Sequence, residues 1–179
     1  MLRALIILLA AAAAHAAPIV LRDAEGKAHT PLADDERKAT VLFFLMHDCP
    51  VANAMAPELA RIAAEYGKRG VRLFAVYATE TAEEITAHHR EFKLPLLGLL
   101  DPKCALARHC GATRVPEAAV FSPAGKLLYR GRIDDRAVKL GSMRPAPTRH
   151  DLREALEAIL AGKKPERAFT EAVGCYLPL

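Results

Sequence analysis

The apolar positions of this chain follow two periods, and the change from one to the other marks its central stretch. Thr40-Val41-Leu42-Phe43-Phe44-Leu45-Met46 is almost unbrokenly apolar and stops at His47-Asp48-Cys49-Pro50. A continuous run of this length, rich in Val and Phe, predicts a strand buried on both faces. Beyond it, Val51, Met55, Leu59, Ile62 and Tyr66 recur on one helical face. Pro50 suits the first helical position, where its missing N–H costs nothing. Pro57 removes one donor inside that helix and should bend its axis. After a stop at Gly67 to Gly70, Val71 to Tyr77 is a second apolar strand. A strand reached through a helix predicts a right-handed parallel unit.

The remaining elements are shorter. Ile19-Val20-Leu21 followed by Asp23-Ala24-Glu25-Gly26-Lys27 predicts an N-terminal edge hairpin. Asp34 to Lys38 is a charged surface segment. Thr81 with Glu84 forms a capping box for a helix reaching about Phe92. Leu94 to Leu100 contains Pro95 and predicts a short strand or extended approach. Asp101-Pro102 opens a short helix that Gly111 ends. Pro116 to Phe121 and Lys126 to Arg132, joined by Ser122-Pro123-Ala124-Gly125, predict an antiparallel hairpin. Gly141 to Pro147 is a loop. Thr148 is placed to cap a final helix from Arg149 to Ala161, closed by Gly162. The segment from Lys163 to Leu179 shows no regular pattern and reads as a flexible tail. The order of elements gives an α/β fold, a sandwich on a mixed sheet.

Cys49 therefore falls at the carboxyl end of a central strand and the amino end of a helix. Unpaired N–H groups and the helix dipole favour negative charge there, so this cysteine should ionise more readily than a free one. The functional reading is a reactive thiol, and the alternative is a buried structural cysteine.

Composition adds a setting for this chemistry. Arg3, an apolar core from Leu5 to Ala14 and Ala14-His15-Ala16 have the form of an export signal over residues 1–16. A retained N-terminal anchor is the alternative. Cleavage would leave a mature chain that is exported, periplasmic or secreted, with no membrane association. Loss of Arg3 lowers the net charge from +4 to +3, and no basic stripe is interleaved with aromatics, so nucleic-acid binding finds no support. Residues 17–162 then form the folded domain and 163–179 the tail.

In an oxidising compartment the four cysteines, Cys49, Cys104, Cys110 and Cys175, acquire a different meaning. They allow three full pairings, among which the sequence does not choose. A helix over Lys103 to His109 would hold Cys104 and Cys110 about 9 Å apart along its axis, too far for a disulfide. Both are expected to be buried or half-buried. A thiolate that attacks a disulfide needs a second thiol to resolve it, and Cys175 is the candidate. His47, two residues before Cys49, could serve as a base or a local cation, or simply face solvent. Asp48 would oppose a nearby thiolate. Met46, His47, Cys49 and Met55 also offer soft donors of a kind that suits copper. His88-His89 lies on a polar helix face and is expected to be solvated. Arg132, Asp134 and Asp135 suggest an ion pair or a loop lock.

Taken together, these features resemble the thioredoxin fold, a three-layer α/β/α sandwich. Asp48-Cys49-Pro50-Val51-Ala52-Asn53, Ala56-Pro57-Glu58-Leu59, Pro116-Glu117-Ala118, Tyr129 to Asp135 and Ala172-Val173-Gly174-Cys175 resemble exported proteins of the redoxin, or alkyl hydroperoxide reductase/thiol-specific antioxidant, family. The resemblance spans about Leu32 to Cys175. It implies a cis bond at Val115-Pro116, with Pro116 facing Cys49 and shaping the active site with Val115, Pro50, His47 and Asp48. It implies no cofactor and no resident metal. Two departures are visible. Ala52 stands where a dithiol motif has its second cysteine, and Met46 and Leu42 stand where a peroxide-reducing member has Thr or Ser and Pro. Copper chaperones of this fold have a second cysteine where Asn53 lies. The implied activity is thiol-disulfide oxidoreduction on protein thiols or disulfides. The alternatives are reduction of a small peroxide by a single cysteine, and a non-catalytic module that binds copper or a protein.

Overall fold

The computed structural model describes residues 17–33 and 36–179. The candidate export signal, residues 1–16, lies outside the described residues, as do Asp34 and Asp35. Among the described residues no helix is long and apolar enough to cross a membrane.

The elements in chain order are β1 (Leu21–Asp23), β2 (Ala28–His29), β3 (Ala39–Leu45), α1 (Pro50–Gly67), β4 (Val71–Tyr77), α2 (Ala82–Phe92), β5 (Leu97–Leu100) and α3 (Ala105–Cys110). They continue with β6 (Arg114–Val115), β7 (Glu117–Phe121), β8 (Leu127–Gly131), β9 (Ala137–Lys139), β10 (Ser142–Met143), α4 (Asp151–Leu160) and β11 (Cys175–Tyr176). Seven strands form one mixed sheet in the order β2-β1-β5-β4-β3-β7-β8. β3, β4 and β5 are parallel, and β7, β8, β1 and β2 join antiparallel.

The apolar run Ala39–Leu45 is buried at every position, and β3 lies inside the sheet with β4 on one edge and β7 on the other. Val51, Met55, Leu59, Ile62 and Tyr66 of α1 are all buried, as their spacing predicts, and Pro50 occupies the start of the helix. The capping box at α2 is complete: Thr81 Oγ1 accepts from Glu84 N, and Glu84 accepts from Thr81 N. At the N-terminal hairpin the Asp23 carboxylate accepts from the N–H groups of Glu25 and Lys27 and meets His29 at 2.6 Å. Cys104 and Cys110 are buried, and Gly111 ends α3 in a left-handed conformation.

Three expectations are corrected. α3 begins at Ala105, because the Asp101 carboxylate accepts from the N–H groups of Ala105, Leu106 and Ala107 and so caps it from outside. Thr148 does not cap α4. Its N–H and hydroxyl go to the Asp135 carboxylate, which draws the Arg149 N–H as well, so the helix starts at Asp151. These donors hold the Asp135 carboxyl well below its ordinary range. The Arg132-Asp134-Asp135 cluster is thus a loop lock: Arg132 pairs with Asp151 at 2.7 Å and Asp134 with Arg136 at 3.0 Å.

The third correction concerns the C-terminal segment, which is not a free tail. Arg130 N–H donates to Ala168 O, and Thr170 N–H donates to Arg130 O, so the segment runs beside the edge strand β8. Thr170 Oγ1 also bonds Tyr129 Oη and the Arg132 N–H. Further on, β11 pairs antiparallel with β6. The sequence shows no period here because each contact is made by one or two residues against a different partner.

Gly131 makes the first of these contacts possible. Its φ is +151°, and a Cβ there would lie 2.2 Å from Thr170 Oγ1 and 2.3 Å from Thr170 O. Gly131→Ala is expected to lower stability by about 2 kcal/mol or more in urea unfolding, from backbone strain and steric overlap. An unchanged midpoint would show that the segment does not pack on β8.

Candidate active site

Cys49 lies where β3 has ended and α1 begins. Its backbone is extended (φ −81°, ψ 112°), and it occupies the N-cap position without a side-chain cap bond. The thiol points elsewhere: Cys49 Sγ donates to Val115 O at 3.4 Å. The Val115-Pro116 peptide bond is cis, as the resemblance implied. β11 sets Cys175 directly opposite Val115, so two thiols converge on one backbone position. Cys49 Sγ and the backbone position of Cys175 therefore meet at the same residue, Val115. Burial first, and then the neighbouring Cys49 thiol, push the Cys175 thiol up to about 11. The Asp48 charge acts in the same direction. Cys49 is 1% exposed and Cys175 is partly exposed, so the pair presents Cys175 outward.

The loop before Pro116 is braced from within. Glu117, 3% exposed, accepts from the N–H groups of Thr113 and Arg114 and pairs with Arg130 at 3.5 Å. The C-terminal strand holds the outer side of the same loop. Leu177 N–H donates to Thr113 O, and Cys104 Sγ donates to Pro178 O. Arg114 donates to Gly174 O and lies 3.6 Å from the ring centre of Tyr176.

His47 faces Glu80. Its N–H donates to Glu80 Oε1 at 3.0 Å, and its ring Nδ1 lies 3.4 Å from the same oxygen. Donor atoms of His47, Asp48 and Glu80 lie within 4.8 Å of one another, an arrangement that could hold a cation. Glu80, however, already accepts from the N–H of His47 and from the N–H and hydroxyl of Thr79. Cys49 Sγ does not join this group but turns to Val115 O. Met55 Sδ is 2.9 Å from the Arg136 guanidinium, a cation where a metal ion would have to approach.

His88 and His89 are not solvated. Asn53 Nδ2 donates to His47 O, which leaves Asn53 Oδ1 to accept from His88 Nε2. His88 Nδ1 must then accept from the Tyr77 hydroxyl, and Tyr77 Oη accepts from His89 Nε2. A single directed chain of hydrogen bonds thus runs from α2 through β4 and α1 to the turn that precedes Cys49. Asn53, Glu80, Tyr77, Glu117 and Gly174 all support the site, and sequence reading gave none of them a role. Asn53, one helical turn beyond Cys49, and Glu117 and Gly174 lay within the stretches that carry the family resemblance, which was the signal available for them.

A family model for AhpC/TSA proteins matches residues 12–130. The chain belongs to the AhpC/TSA family. No curated protein matches it. Among solved structures, a hypothetical protein from Sinorhizobium meliloti 1021 is similar at 27% identity and a TM-score of 0.76, over 89% of this chain and 90% of that one. An uncharacterised conserved protein from Geobacillus kaustophilus is similar at 24% identity and a TM-score of 0.76, over 90% and 88%. A secreted Mycobacterium tuberculosis disulfide oxidoreductase shares 17% identity with a TM-score of 0.55, over 81% and 96%. The fold of this AhpC/TSA protein is thioredoxin-like.

The buried histidines give a pH dependence. Burial lowers both imidazoles, His89 to about 4 from 6.5, with His88 as a further cause. The unfolded chain takes up a proton near 6.5 while the folded chain resists it, so stability is full above about 6.5 and falls as pH drops towards 4. His89→Gln keeps a donor for Tyr77 and removes one of the two groups. Denaturant midpoints across this window are expected to fall less steeply in the variant than in wild type. Equal slopes would mean that His89 is protonated in the folded state as readily as in the unfolded chain.

Proposed function

We propose that the protein is a thiol-disulfide oxidoreductase in which Cys49 is the nucleophile and Cys175 resolves the mixed disulfide. The observation that carries this reading is the convergence of both thiols on Val115, one from the start of α1 and one from β11. The partner is a protein disulfide. Cys49 thiolate attacks one sulfur of that disulfide, the S–S bond breaks, and the partner's second cysteine leaves as a thiolate and takes up a proton. Cys175 then loses its proton and attacks Cys49 Sγ, releasing the partner's first cysteine. Two electrons pass to the partner, and the chain is left with a Cys49–Cys175 disulfide. The reverse sequence oxidises a dithiol.

Membership in the AhpC/TSA family raises peroxide reduction at Cys49 as a second reading. Leu42 is fully buried within β3, and Met46 is apolar. These are the two positions where such a reductase is expected to carry Pro and Thr or Ser, so the hydroxyl donor that would polarise a peroxide has no counterpart there. We place the working protein outside the cytoplasm, on the form of residues 1–16. Cys104 and Cys110 take no part, since both are buried and burial pushes both thiols up, Cys110 furthest.

The test is direct. Reduced protein treated with one equivalent of a small disulfide and mapped by mass spectrometry is expected to carry a Cys49–Cys175 linkage. Cys49→Ser is expected to reduce insulin disulfides no faster than background, whereas Cys104→Ser retains the wild-type rate. A different linkage, or full activity in Cys49→Ser, would refute the assignment. Peroxide consumption by Cys175→Ser at the wild-type rate would favour the second reading.

A further inference from the structure

Where α4 is pinned to α1, the surface carries a second polar centre. A cavity of about 430 Å³ opens there between α1, the start of α4 and the loop that follows β8. That volume falls within the range of small-molecule sites. Arg61 and Arg153 line it from the two helices and Arg136 lines it from the loop, with His150 beside them. Neither Cys49 nor Cys175 borders it.

Each guanidinium is held from behind by a buried carboxylate. Glu58, 6% exposed, accepts from Arg61 Nε at 2.7 Å and from Arg153 Nε at 2.6 Å. Asp134, 2% exposed, accepts from Arg136 Nε at 3.0 Å. Burial pulls the Glu58 carboxyl up, but its bonds to Arg153 and Arg61 outweigh that pull and hold it below its ordinary range, so it stays ionised. In all three arginines the carboxylate takes the Nε edge and leaves terminal amino groups over. Among the described residues neither terminal nitrogen of Arg61 has a hydrogen-bond acceptor, and neither does Arg153 Nη2, because Glu65 takes Nη1. Arg136 Nη2 meets only the thioether of Met55, a weak acceptor. The Arg136 side chain is 17% exposed, so water supplies little in place of a better one. The lining holds three guanidinium groups against two carboxylates, an excess of positive charge before His150 is counted. Pro145-Ala146-Pro147 completes the rim with apolar surface, and neither proline brings an N–H of its own.

We propose that this pocket binds a small organic dianion, a phosphomonoester or a dicarboxylate, through the terminal amino groups of Arg61, Arg136 and Arg153. A guanidinium fork matches the spacing of oxyanion oxygens, and charge-assisted bonds of this kind are the strong ones. Arginines already oriented by buried carboxylates lose little freedom when the ligand arrives. The carbon skeleton lies against the proline rim. The site goes beyond the oxidoreductase reading and does not depend on it. A ligand there ties the loop after β8 to both helices and stabilises the folded chain by mass action.

The test is titration calorimetry of the full chain at fixed ionic strength with phenyl phosphate, succinate and, as a control, chloride. Saturable one-to-one binding is expected for phenyl phosphate or succinate, with a Kd on the order of 0.1 mM. The tighter of the two probes tells a phosphomonoester site from a dicarboxylate site. Arg61→Gln removes one fork at a side chain that is 61% exposed, and it is expected to weaken binding at least about fivefold. Arg136→Lys keeps the charge and loses the fork, and is expected to weaken binding about tenfold. Arg90→Gln removes the same charge from α2, outside the pocket, and is expected to bind as wild type does. Each variant is first checked for a cooperative urea transition, and Arg61→Gln carries the test alone if Arg136→Lys does not fold. Binding no stronger than that of chloride overturns the proposal, as does an equal loss in Arg90→Gln, which would reveal attraction by net charge only. Arg61→Gln is also expected to reduce insulin at the wild-type rate. Dianion binding by a protein that fails to reduce insulin would sink the redox reading and leave the pocket standing. Insulin reduction without dianion binding would do the reverse.

Discussion

The carbonyl of Val115 is the point on which the site depends. It accepts from the Cys49 thiol, it ends the two-residue strand β6, and it sets how closely β11 can approach. Only a residue without a Cβ can sit against it, and Gly174 is that residue. The approach is closer than any side chain allows, and it sets Cys175 opposite the residue whose carbonyl the Cys49 thiol meets. Two thiols that are distant in sequence, one on a helix start and one on a C-terminal strand, therefore meet through a backbone contact rather than through a shared motif.

Fixing one carbonyl so closely requires that its loop not move, and the fold supplies braces from several directions. Glu117 lies just beyond Pro116, where it is buried, and it takes up two N–H groups of the loop that would otherwise lack partners. A buried carboxylate is costly unless it is paired, and Arg130 provides the pairing from β8. Arg130 in turn donates to the carbonyl of Gly111 at the end of α3, and its guanidinium lies 4.7 Å from the ring centre of Phe169 in the C-terminal segment. One side chain thereby ties together the loop, the short helix and the segment that delivers Cys175. On the opposite side, the chain from His89 to Asn53 fixes the carbonyl of His47, two residues before Cys49. Tyr77, His88 and Asn53 each donate and accept within that chain, and protonation of His88 at Nδ1, the atom that accepts from Tyr77, breaks its direction. Burial lowers both imidazoles, so the chain is intact near neutral pH.

The parts of this arrangement that were legible in the sequence are those set by local period or local chemistry. The apolar run of β3, the single buried face of α1, the Thr81/Glu84 capping box and the β7–β8 hairpin each follow from residues a few positions apart. Cys49 stood out for the same reason, because the strand ends and the helix begins within four residues. His88 and His89 misled because a single polar helix face is ordinarily solvated, and only the parallel placement of β4 brings Tyr77 beneath them. The C-terminal segment misled because it has no period of its own. Its order comes from Gly131 and Gly174, two glycines whose role is to admit another backbone, and a glycine in a sequence does not announce what will approach it. The competition between Asp135 and Thr148 for the start of α4 is of the same kind. A cap signal immediately before the expected helix lost its side chain to a carboxylate more than ten residues away.

The low exposure of Cys49 bears on which chemistry the site is built for. A peroxide is small, and a pocket that excludes everything but peroxide would need a polar donor beside the sulfur to orient it. The Cys49 thiol itself donates to a backbone carbonyl, which is an acceptor, and the neighbouring Cys175 thiol has a raised pKa and stays protonated near neutral pH. A carbonyl acceptor does nothing for a peroxide oxygen that is gaining negative charge. A protonated thiol beside the first can donate to a thiolate before exchange and then, once deprotonated, close the disulfide. The cover over Cys49 is itself a strand held by backbone hydrogen bonds, a side-chain stack and one buried leucine. An enclosure of that construction suits exchange between sulfur atoms better than it suits a sealed pocket for a small oxidant.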